Sequence, residues 1–220
     1  MDNVEFEIEV SKRISQKLKE SLTSLCSALK ITFSSEEFEI LRGNVNLSKI
    51  GQFLLTVADI LEIPAEIPLI IKGDKMVISN AFVKTIRIDD KNVPLALVEW
   101  YRGRELAGIE IYLRDAHKYS NYFDFLVGEA LNLLAEFRSV KLLELQRNNK
   151  SVNVKAFAKE GRFFQNSKLI METDLTLEGV IELGSQELFG TFKHLKAITK
   201  DGKSYIFDFD NRTHARSESS

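Results

Sequence analysis

Residues 4–10, VEFEIEV, set Val4, Phe6, Ile8 and Val10 on one face and three glutamates on the other, the period-2 alternation of a half-buried strand. The period then changes. In SKRISQKLKESLTSLCSALK, residues 11–30, Ile14, Leu18, Leu22, Leu25 and Leu29 recur at helical spacing behind a capping Ser11, which predicts a helix over 11–30. Two short strands are expected in ITFSSEEFEILRG, and a second helix over 48–62 with Ser48 as N-cap and Ile50, Phe53, Leu54, Val57, Ile60 and Leu61 as its stripe. Pro64 and Pro68 end it. The segment PLIIKGDKMVIS predicts strand, Gly-Asp turn, strand, and AFVKTIRI, VPLALVEWYR and ELAGIEIYL continue an antiparallel meander across the turn residues DDKN and GR.

A third helix is predicted over 116–138, where Tyr122, Phe125, Leu126, Leu133, Leu134 and Phe137 share a side and Gly128 lowers the intrinsic propensity. Strands VKLLELQ, SVNVKAFAK, KLIMETDL and LEGVIEL follow. In SQELFGTFKHLKAI, Leu188, Phe189, Phe192 and Leu195 again recur at helical spacing, which predicts a fourth helix over 186–196 with Ser185 as its cap. A hairpin about Asp201-Gly202 closes the series. The expected class is α+β: antiparallel meanders with four amphipathic helices in two similar halves, 1–114 and 115–210, and a polar, disordered tail over 211–220.

Composition narrows the picture. At 220 residues, 44% hydrophobic and 28% charged, the chain has the balance of a globular protein, its apolar runs are too short to span a bilayer, and its acidic start is unlike a signal peptide; a cytoplasmic protein is expected. Three N-x-S/T sequons, at Asn46, Asn149 and Asn211, carry no meaning without a secretory route. The single cysteine, Cys26, excludes an internal disulfide and reads as a core thiol. Few Gln, Met and Cys beside many Lys and Glu lean towards a thermophilic protein, against which twelve Asn weigh.

Candidate chemistry is sparse. His117, His194 and His214 lack metal-binding or triad spacing, and no nucleophile motif occurs, so neither catalysis, a metal nor a cofactor is expected. DGKS at 201–204 precedes a strand and lacks the glycine of a phosphate-binding loop, so it reads as a hairpin turn. Asp208 and Asp210 share a strand face and read as solvated. A net charge of −2 is no nucleic-acid footprint overall, yet residues 11–30 hold Lys12, Arg13, Lys17, Lys19 and Lys30 against Glu20 alone. In EWYRGRE, Trp100, Tyr101, Arg102 and Arg104 combine rings and guanidinium groups of a kind that stack on bases or meet phosphates, with a strand end in the core as the plainer reading.

The order of elements, in FEIEVSKRISQKLKESLTSLCSALKITFSSEEFEI, NVNLSKIGQFLLTVADIL and the restart AHKYSNYFDFLVGEALNLLAEFRSVKLLELQRNNKSVNVKAFAKEG, resembles that of the sliding DNA clamps of the PCNA type. The resemblance implies two similar domains, closure of several copies into a ring, and helices that meet duplex phosphates without reading sequence. The contacts it implies are Lys12, Arg13, Lys17 and Lys19 on the first helix and Lys193 and Lys196 on the last. Two other readings stay open. One is a binder of a small hydrophobic ligand of the helix-grip kind, with a curved sheet around the helix 116–138. The other is a protein that pairs with copies of itself through exposed strand edges.

Overall fold

The fold was taken from a computed structural model, which describes residues 3–71, 77–165 and 168–209. The chain begins with strand β1 (Asn3–Ser11), helix α1 (Lys12–Leu22), strands β2 (Cys26–Phe33) and β3 (Phe38–Asn46), and helix α2 (Ile50–Ile60). A meander follows: β4 (Ala65–Ile71), β5 (Val77–Ile88), β6 (Lys91–Arg102) and β7 (Glu105–Leu113). A 3-10 turn over Ala116–Tyr122 leads into α3 (Phe123–Phe137), and the chain then runs through β8 (Val140–Arg147), β9 (Ser151–Gln165), β10 (Lys168–Ser185), β11 (Leu188–Thr199) and β12 (Ser204–Asp208). The twelve strands form one antiparallel sheet in the order β2-β3-β1-β4-β5-β6-β7-β11-β10-β9-β8, with β12 beside β11.

Sheet and helices confirm the α+β class, but three α-helices stand among the described residues where four were expected, and the halves differ. Two helices cover the first half and one the second, on opposite faces. The division is visible in β6, where Val93, Leu95 and Leu97 join the core under α3 while Ala96, Val98 and Trp100 join the core under α1 and α2. Every residue from Val93 to Trp100 is buried. This accounts for the unbroken apolar run in VPLALVEW: a strand covered on both faces has no polar side to alternate with. Gly51 lets α2 lie close to the sheet, because a Cβ there would sit 2.8 Å from the Tyr112 ring.

The expected helix over 186–196 is strand β11, and the error has a physical source. Opposite β7 the register slips between Leu188 and Gly190, and opposite β10 Phe192 and His194 face consecutive residues. Each bulge inserts one residue and re-aims the chain. Phe189, Phe192 and Leu195 therefore all point into the α3 core at three-residue intervals. That spacing imitates a helix. Ser185 ends β10, with no helix to cap, and the next residue, Gln186, turns the chain at φ 55°.

Other boundaries moved less. The helix expected over 11–30 stops at Leu22, where the Ser21 and Thr23 hydroxyls hydrogen-bond back to the Lys17 and Lys19 carbonyls; Cys26 to Lys30 belong to β2. Asn46, two residues ahead of the expected Ser48, accepts from the Ser48 N–H at 2.9 Å and caps a short 3-10 turn before α2. The predicted MVIS and AFVKTIRI strands are one strand, β5, as are KLIMETDL and LEGVIEL within β10. The Gly73-Asp74 turn, His214 and the 211–220 tail lie outside the described residues.

Because both faces of β6 are dry, adjacent positions should be equally intolerant of charge. Ala96→Asp and Leu97→Asp are each expected to cost more than about 3 kcal/mol in urea unfolding. Leu143→Asp, at a position 50% exposed, should stay within about 0.5 kcal/mol. Tolerance at either 96 or 97 would mean that one face is open.

Candidate functional site: a cavity beneath helix α3

Seven strands, from β5 to β8 in sheet order, curl around α3. The helix reaches both ends of this curl: Phe137 lies against Phe82 of β5 with ring centroids 5.4 Å apart, Glu129 pairs with Lys84 of β5 at 3.0 Å, and Leu145 of β8 packs on Gly128. A Cβ at position 128 would come within 3.1 Å of Leu145. The glycine that weakens the helix thus lets β8 close on it. Register slips on β6/β7, β7/β11, β10/β11, β9/β10 and β8/β9 supply the bend, whereas β1/β3, β4/β5 and β5/β6 pair without one.

A straight helix resting on both ends of a curved sheet leaves space over the middle. At the start of α3 aromatic rings fill it, with Phe123 edge-on to Phe189 at 5.2 Å. Beneath the last two turns it stays open, as a cavity of about 430 Å³. Leu131 and Leu134 form its roof; Ile109, Ala156, Ala158, Gly179, Phe192 and Leu195 form much of its floor. Small residues on β9 and β10 keep the floor low.

One end of the cavity is polar and crowded. Glu99 of β6, only 7% exposed, accepts from Arg138 at 3.2 Å. Arg138, just past α3, also forks onto Glu66 of β4 at 3.4 Å through both terminal nitrogens, donates to the Phe137 carbonyl, and lies 5.0 Å from the Phe82 ring centroid. Desolvation pushes the Glu99 carboxyl above its ordinary range, and the Arg138 charge opposes that only in part. Burial and the neighbouring Glu99 charge push the Tyr101 phenol up as well. Arg104, Ser139, Lys159 and Glu160 stand exposed at the mouth.

The sequence-predicted residues divide among several places. Trp100 is enclosed on the α2 side and donates to Glu110, whereas Tyr101 packs against the same core and also lines the cavity. Arg102 is exposed, and Arg104 is at the cavity mouth. On α1, Lys12 and Lys17 are exposed and Lys19 is half-buried; the Lys12 ammonium lies 5.1 Å from the Phe33 ring, and Arg13 is paired with Glu62. Lys193 and Lys196 are on a strand, Lys193 within 3.8 Å of Glu182 and Lys196 in a polar groove with Lys155, Glu178 and His194, on the sheet face opposite α3. Cys26, on β2 instead of a helix, is half-buried, and desolvation pushes its thiol up to about 12. Among the described residues no group of three His, Cys, Asp or Glu is placed to hold a metal ion, and no helix is long and apolar enough to cross a membrane.

Sequence reasoning missed Glu99 and Arg138. The available signal was a lone acid inside an apolar strand run, VPLALVEW, which demands a buried partner.

A carboxyl whose folded value is raised holds its proton longer in the native than in the unfolded chain, so its contribution favours folding below the unfolded value and is lost as pH rises through the folded one. Glu99→Gln should remove that loss. In urea titrations the wild type should fall relative to Glu99→Gln as pH rises through this window; parallel pH profiles would show that Glu99 is not the group responsible.

No protein-family model, curated protein sequence or solved structure matches this chain.

Proposed function

We propose that the chain binds a small apolar molecule in the cavity beneath α3, as a helix-grip type of binding protein. The reading is supported by the cavity itself: about 430 Å³ of largely apolar space with a few converging polar groups at one end. Small-molecule sites typically occupy ~300–1,000 Å³ with that division of lining. A core built only for stability would fill such a space, since each empty Å³ costs contacts on the order of 24 cal/mol. Ala156, Ala158 and Gly179 keep it unfilled.

Ala158→Phe projects a ring from the floor. Affinity for decanol should fall at least about tenfold while melting temperature holds or rises, as filled cavities stabilise. Lys155→Ala, on the opposite face, should leave binding unchanged. Native mass spectrometry and calorimetry read both. Undiminished binding in Ala158→Phe would place the ligand elsewhere, and no binding by the wild type would end the reading.

A second reading is favoured by α1, which has no acidic residue in its first turn and holds Lys12 and Lys17 exposed. Contact with duplex phosphates through these lysines would be sequence-independent and salt-sensitive. Replacing Lys12 and Lys17 by Ala should reduce the slope of log affinity against log salt by about 2. Undetectable duplex binding at roughly 50 mM salt, where such contacts are strong, removes this reading.

A further inference from the structure

We infer that the ligand of the α3 cavity is an apolar molecule ending in an amine, whose ammonium group meets Glu99 beside the Tyr101 hydroxyl. This rests on the cavity being a binding site. At the inner part of its polar end two carboxylates, Glu66 and Glu99, share the single guanidinium of Arg138. Arg138 is already committed, with one terminal nitrogen on Glu66 and the Phe137 carbonyl and the other on Glu66 and Glu99. It has little left to offer an anionic head group.

Glu99 is in the opposite position. Its contact with Arg138 uses Oε1, and among the described residues Oε2 takes no hydrogen bond, although the side chain is buried and lines the cavity. An acceptor in that state is costly to leave unmet, and it is met either by a proton or by a donor from the ligand. An ammonium supplies both the donor and the missing positive charge. The cations at the mouth, Arg104 and Lys159, do not reverse this preference, because they are exposed, where charges act weakly, and stand beside Glu160. The raised carboxyl of Glu99 fits the same imbalance.

Three ligands with one alkyl chain separate the possibilities: decylamine, decanol and decanoate, titrated by calorimetry at neutral pH against the full chain. The expected order is amine, alcohol, carboxylate, with the amine favoured over the alcohol by about tenfold or more, as for a charge-assisted hydrogen bond away from water. Glu99→Gln should bring the amine-to-alcohol ratio close to one, chiefly through loss of decylamine affinity. Glu66→Gln, which touches no ligand, should also shrink the ratio by restoring charge balance at Arg138. Decanoate binding as tightly as decylamine, or a preference that survives Glu99→Gln, overturns the inference while leaving the cavity as a site. Failure of all three ligands to bind overturns both.

Discussion

The buried faces of β6 are the constraint on which the rest of the molecule depends. A strand covered on one side can exchange its outer residues freely; one covered on both sides must be apolar or have its polar groups partnered at every position, and must have a complete layer on each face. Here α2 supplies one layer and α3 the other. Because the two layers share a sheet, the arrangement of either helix is felt on the opposite face through side chains that are immediate neighbours in sequence. The pairing of β7 with the start of β11 extends the same sheet from the first half into the second, so the α3 core draws on residues from Phe82 to Phe209.

That arrangement also accounts for the cavity beneath the end of α3. Strands β1, β3, β4 and β5 pair with one another without a slip, the slip on that side being at the outer β2/β3 pair, and α1 and α2 together fill the surface they present. Beyond β6 the sheet is repeatedly bulged and bends towards α3. Two helices can follow a gently curved surface, whereas one straight helix touches a strongly curved one at its edges. Whether the gap is filled then depends on side-chain size on the floor, which is large at the start of α3, with Phe189, and small towards its end, with Ala156, Ala158 and Gly179.

Much of this architecture could be read from the chain. Alternation in VEFEIEV and the stripe of α2 identified elements correctly, because each has one buried face and undisturbed periodicity. The reading failed where periodicity was altered by tertiary contacts. In β11 two bulges turned a strand's alternation into a three-residue interval, and the helical stripe from Ile14 carried on through Leu25 and Leu29 although the first lies in the turn after α1 and the second in β2. The opposite placement of the helices was invisible in element order alone, and a resemblance built on order could not reveal it. For the site, EWYRGRE was a useful pointer with the wrong emphasis. A register slip between Trp100 and Tyr101 aims the two rings differently: Trp100 is enclosed beside Glu110, whereas Tyr101 packs on the same core and also reaches the cavity, so the stretch does not form one aromatic platform.

The two buried acids of the central strands show how the surroundings of the two faces differ. Glu110, facing α2, takes hydrogen bonds from Trp100 and from the Tyr112 hydroxyl at 3.3 Å, in a setting packed with Phe53, Leu54 and Val57. Rings hold that carboxylate by donating to it, which fixes the side chains around it. Glu99, facing α3, shares a guanidinium with Glu66 and borders open space. Both acids occur within apolar strand sequence and both are almost fully buried, so composition and burial alone treat them as equivalent. The distinction lies in the donors and the space beside them: Glu110 Oε1 takes two ring donors within a core, whereas Glu99 takes one from a guanidinium shared with Glu66 and borders the cavity. A buried acid held by ring donors stiffens a core, whereas one beside a cavity, sharing its guanidinium with a second carboxylate, keeps an acceptor facing open space, and the proposed amine depends on that difference.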